Sequence, residues 1–322
     1  MKKWPRRPAE SKLLGFLLVA TVGVAFSDVV VDALMVEKGQ RHAATGLFQS
    51  IQWACIYSAT VLTGLVGGLL SGSGQQQLGF LICATAAAIT LFLATVFVRE
   101  DRHSLARPRL RGTVAALVQA VRTPGILAVG GFIFLWNFNP FSNDVLYLHM
   151  TGQMRLTEQF YGSTVSLMAV SSVVASAAYG FYCRRIPMVR LIHASIVLGI
   201  LSTLGYWAMV DKTSAVVVTL AIGFTYMTAL LIQLDLAAQA CPAEVAGTGF
   251  ALLMALSNLS MSLSTALGGH LYDRWAASWG ATAAFHHLVG CGAAFTAACW
   301  LLVPVLRRTI TANPGTETEE PP

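Results

Sequence analysis

The sequence predicts an all-α membrane protein of about nine spanning helices, on three observations. It is 55% hydrophobic and only 11% charged, where soluble domains carry about 25% charged residues. Its apolar residues gather into nine runs, near 13–36, 47–71, 78–98, 124–150, 158–182, 187–210, 214–240, 245–272 and 283–306, each long enough to cross a hydrocarbon layer of about 30 Å. Its Lys and Arg residues concentrate in the loops that alternating spans place on one side. The lipid bilayer is therefore a partner, and nucleic acid is not expected to be one.

The first run ends in Phe26–Gly46, FSDVVVDALMVEKGQRHAATG, which sets two carboxylates in otherwise apolar sequence. Asp28 and Asp32 are four residues apart and share one helix face. A charge near mid-bilayer costs roughly 2.5–3.5 kcal/mol on insertion scales, so that face needs a partner, a proton or a water-filled cavity. The competing reading is packing of the helix end against a neighbour. Glu37, with Arg41 four residues on, reads as an interfacial ion pair.

The longest polar interruption, 99–123, holds six basic residues and a proline. It divides a partial bundle of three helices (1–98) from a six-helix bundle (124–308). A Pro-, Thr- and Glu-rich tail (309–322) follows and is expected to be disordered. Lys38, Arg41, the linker arginines, Arg184, Arg185, Arg190, Arg307 and Arg308 fall on one side, against Arg155, Lys212 and Arg274 on the other. By the positive-inside rule the linker and C-terminus are cytoplasmic. The basic stretch Met1–Lys12 runs against this assignment, which would put it outside.

The fourth run contains Trp136–His149, WNFNPFSNDVLYLH. Pro140 lacks an N–H and is expected to kink the helix, freeing carbonyls that neighbours must satisfy. The six cysteines lie in or beside apolar runs without C-x-x-C spacing and read as small core residues. No metal or cofactor is implied. No phosphate-loop, H-E-x-x-H or G-x-S-x-G signature is present, so an enzyme is not expected.

An internal repeat points to two related halves. Thr45-Gly46 follows Asp32 by thirteen residues, and Thr248-Gly249 follows Asp235 by the same spacing. Both helices that follow end in paired glycines, Gly67-Gly68 and Gly268-Gly269. Parallel repeats of this kind characterise transporters built from two helical halves.

Three ordered stretches then resemble the folate/biopterin transporter family of the major facilitator superfamily. In the first, Asp28, Asp32, Glu37, Gln49, Ser50 and Trp53 match an Asp-x-x-x-Asp helix, an acidic-basic loop and a Gln-Ser-x-x-Trp helix. The second is NPFSNDVLYLH with the segment leading into the next helix, and the third is CPAEVAGTGFALLMALSNL. The resemblance implies a twelve-helix plan of which this chain lacks the first three. Upstream sequence or another chain would fill that place.

It also implies that runs 13–36, 124–150 and 214–240 line a central cavity, each bringing an acid: Asp28 and Asp32, Asp144, and Asp235. Burial disfavours the charged form of a carboxylate, so proton-coupled uptake by alternating access is the expectation for these four. Asn137, Asn143 and Asp144, with Trp136 and Tyr147, suit a flat heteroaromatic ring such as a pterin. Gln52, Trp53 and Asn258 form a second tier. The small-molecule substrate expected is folate or a pterin-like compound. The competing readings are a non-transporting remnant or partner subunit, and a transporter of another small organic solute.

Overall fold

The computed structural model describes residues 8–98, 118–119 and 122–312. The basic start, most of the linker and the end of the tail lie outside the described residues. Helices make up the described chain, and it contains no strand. In chain order they are α1 (Pro8–Arg41), α2 (Thr45–Gly72), α3 (Gln76–Phe97), α4 (Pro124–Asn137), α5 (Asn143–Leu148), α6 (Glu158–Tyr182), α7 (Met188–Leu204), α8 (Lys212–Ala240), α9 (Ala246–Trp279), α10 (Ala281–Ala298) and α11 (Val303–Ala312).

Eight helices are long and apolar enough to cross a membrane, and α4 is a shorter apolar one. The fourth run is therefore a broken span. Helix α4 stops at Asn137, three residues before Pro140, and α5 starts only at Asn143. Side chains add hydrogen bonds to the backbone around the bend. Ser260 Oγ donates to Phe134 O at 2.7 Å, and Asn137 Nδ2 to Ile133 O at 2.9 Å. Asn139 Oδ1 accepts from Phe141 N–H at 3.0 Å. These bonds brace the backbone on both sides of the break.

Start signals account for the other boundaries. Thr157 caps α6, accepting from Phe160 N–H. Asp211 and Ser214 form a reciprocal capping box at the start of α8, satisfying two otherwise orphaned donors.

Helix α8 packs mainly against α6 and α7, with α2, α4 and α9 also touching it; α10 packs on α7 and α9, and α2 lies along α6. The main core joins Val129, Phe132 and Trp136 of α4 with Ile196, Leu236, Phe250 and Cys299, and it takes in Met35 and Val36 from the end of α1. Only that end of α1 is covered. Its residues Leu14–Val31 are exposed, as are residues 80–97 of α3. Apolar surface on this scale belongs against hydrocarbon or further helices.

Candidate functional site

Asp235 sits at the contact between the first helices and the last. It is 2% exposed and accepts three hydrogen bonds. Thr45 Oγ1 donates to Oδ1 at 2.5 Å, Gln239 Nε2 to Oδ1 at 2.9 Å, and the Tyr179 hydroxyl to Oδ2 at 2.9 Å. The donors come from α2, α8 and α6, and all are neutral groups. Gln40, near the end of α1, donates to the carbonyls of Ala238 and Cys241 at 2.7 and 2.8 Å. The turn between α1 and α2 is thereby tied to the end of α8.

Small residues make this approach possible. A Cβ on Gly46 would lie 2.5 Å from Asp235 Oδ2, and one on Gly180 would lie 2.6 Å from Ser50 Oγ. On the other side of α1, a Cβ on Gly247 would lie 2.6 Å from the Ala33 Cβ. The repeat seen in sequence is therefore exchanged across the interface: the start of α2 meets the end of α8, and the start of α9 meets the end of α1. The exchange is unequal in its polar part. Thr45 binds Asp235, whereas Thr248 is exposed and Asp32 is held by Gln52 of α2 at 2.8 Å.

The other expected residues lie in different surroundings. Asp28 is exposed, one turn before the half-buried Asp32, and acts on it electrostatically. Glu37 is exposed, its carboxylate beside Gly247. Asn137 is buried and spends its amide on its own helix. Asn143 and Asp144 are exposed in the first turn of α5. The hydroxyl of Tyr147 donates to Glu158 at 2.9 Å. Trp136 is buried against Tyr226, ring centroids 5.7 Å apart, and Trp53 pairs with Tyr57 at 5.9 Å. Asn258 is exposed. The structure brings Asp32, Gln52 and Asp235 onto helices that touch, and it places Asn143, Asp144 and Asn258 on the surface.

Thr45, Tyr179 and Gln40 carry the contact, and sequence reasoning did not single them out as site residues. Thr45 was visible as half of the repeat. Tyr179 and Gln40 left no signal, because their partners lie on other helices.

Long apolar helices whose first and later members meet at a buried carboxylate define a multi-pass, all-helical membrane protein. The chain belongs to the BT1 family, whose model matches residues 1–303, and it is an integral multi-pass membrane protein. It is 26% identical over 281 residues to a protein of Synechocystis sp. named folate-biopterin transporter, a match covering 80% of this chain and 55% of that one. It is 24% identical over 196 residues to a probable folate-biopterin transporter 8, chloroplastic, of Arabidopsis thaliana, covering 56% of this chain and 35% of that one. The chain thus spans about half the length, or less, of the curated relatives it matches. Its fold is similar to that of a bacterial homologue of the iron transporter ferroportin, crystallised in the outward-facing state. The TM-score is 0.57 at 16% identity, over 96% of this chain and 76% of that one.

Proposed function

We propose that this chain forms the moving helical unit of a carrier for folate or pterin-like molecules, working by alternating access with proton coupling, its linker and C-terminus in the cytoplasm. The names of its relatives support the solute class. The observation that carries the mechanism is Asp235, buried between the turn joining α1 to α2 and the ends of α6 and α8. As a carboxylate it accepts from three neutral donors at once. Once protonated it becomes a donor itself and loses part of that accepting capacity. Proton uptake then weakens the contact that holds the two groups of helices together at this end, and proton release restores it.

On this reading Asp28, Asp32 and Gln52 stand on the solute path, while Asp235 carries the proton. Asn137, Asn143, Asp144, Trp136 and Tyr147 belong to the far end of the same path, with Trp53 and Asn258 beside it. Counterflow of labelled folate and biopterin in proteoliposomes tests this. The wild-type chain should exchange solute, and an imposed pH gradient should drive accumulation. Asp235→Asn should retain exchange but lose the gradient-driven accumulation. A wild-type chain that gives no counterflow is a non-transporting unit, and the proposal fails. A C-terminal reporter that folds only in the cytoplasm checks the orientation.

A further inference from the structure

Asp32 and Asp235 lie on different helices, yet both are bound by the same face of α2. Thr45 donates to Asp235 at one end, and Gln52 donates to Asp32 at the other. Between them stands Gln49, at four residues from Thr45 and three from Gln52, so the three side chains share one stripe. Seven residues of helix rise place the two ends about 10 Å apart. Gln49 is 1% exposed, and its Nε2 has no hydrogen-bond partner among the described residues. The Gln52 Oε1 is likewise buried and unpartnered.

These two orphans are complementary. Gln49 Nε2 carries two hydrogens, and the stripe offers an acceptor one turn away on each side, Thr45 Oγ1 and Gln52 Oε1. A buried amide donor left unpaired is costly, and a rotation of the Gln49 amide or one bound water closes both gaps.

We infer that Gln49 is the node of a buried hydrogen-bond ladder, Asp32–Gln52–Gln49–Thr45–Asp235, that makes the two repeat-related acids one titrating unit. Hydrogen bonds in a chain polarise one another. A charged Asp32 draws on the Gln52 amide and makes its Oε1 a better acceptor for Gln49. A charged Asp235 does the same to the Thr45 oxygen. A change at either end is therefore felt at the other. The titratable groups facing Asp235 are Tyr179 of α6 and Cys183 at its end, and Asp28 of α1 lies one turn from Asp32. The use of the ladder in transport rests on the reading above.

Infrared titration of the protonated carboxyl bands, on the full chain in liposomes without solute, tests the inference. Asp235→Asn assigns one band and Asp32→Asn the other. Asp32→Asn should displace the Asp235 midpoint by about one pH unit, a tenfold change in proton affinity. In a Gln49→Met background, which keeps the volume and removes the N–H donors, the displacement should disappear. Gln52→Met cuts the ladder at its other end and should give the same loss, should Gln49→Met fail to fold. A displacement that persists undiminished in these backgrounds overturns the ladder, as does its absence in the wild type. A chain that moves solute while its bands titrate independently overturns the ladder alone. Coupled bands in a chain that moves nothing overturn the transport reading alone.

Discussion

Gly46 lies against the carboxylate of Asp235, with the spot its Cβ would occupy 2.5 Å from Oδ2. Three hydrogen bonds hold that carboxylate, so it cannot swing away without breaking one. Gly46→Ala should destabilise the protein by about 1–3 kcal/mol, the usual cost of overpacking a tight contact. Thermal unfolding in detergent reads this. Gly64→Ala on the same helix, where nothing lies within 4 Å, should unfold at the wild-type temperature. Equal losses in the two variants would mean that the helix, and not the contact, dislikes the change.

Tyr179→Phe isolates one bond of the same cluster. The ring is fully buried and is kept by phenylalanine, while the hydroxyl that donates to Asp235 is lost. Hydrogen bonds to charged groups are worth about 1.5–3 kcal/mol, and the variant should lose stability in that range. Tyr182→Phe, on the half-buried neighbour, should cost less. A Tyr179→Phe protein as stable as wild type would remove the bond from any account of the contact.

The spanning helices were legible because the length of an apolar run is a local property. The break at Pro140 was legible too, since proline announces a missing donor. Asp235 stood out as an acid in an apolar run. Its partners on other helices did not, because Thr45 and Tyr179 reach it from helices of nearly uniform apolar character, where no period marks the contacting face. Asn143 and Asp144 show a second limit. Within one continuous run they look interior, but the chain breaks after Asn137 and the new helix turns them outward. Periodicity read through a break carries no information about the face beyond it.

Asp211 gives a pH dependence outside the spans. The backbone N–H of Ser214, 2.7 Å from Oδ1, holds its carboxyl below the ordinary value of 3.8, helped by the Ser214 hydroxyl. A lowered folded value means that the stabilisation is present above the unfolded value and is lost as pH falls through the folded one. Unfolding temperatures should therefore drop more steeply below about pH 4 in wild type than in Asp211→Asn. Asparagine keeps a capping oxygen, so the two proteins should unfold alike near neutrality. Parallel curves at acid pH would show that the cap adds nothing to acid sensitivity.

Gly268 tests whether the broken span is clamped or merely bent. It packs on the carbonyl of Pro140 so closely that a Cβ would overlap the oxygen and come within 2.8 Å of the carbonyl carbon and 3.1 Å of Cα. Here the obstacle is backbone, and that backbone is pinned on both sides. Asn139 holds the Phe141 N–H, and Ser260 of the same helix as Gly268 holds the Phe134 carbonyl. Gly292 of α10 approaches the Asn139 side chain from the other direction. Neither partner can retreat, so Gly268→Ala should cost about 3 kcal/mol or more, at the upper end for overpacking. Gly269→Ala, with nothing within 4 Å, should stay within about 0.5 kcal/mol of wild type. The comparison reads unfolding temperature and the yield of monodisperse protein in detergent. If both variants match wild type, the Pro140 break yields freely under load, and the far end of α4 is a hinge instead of a fixed corner.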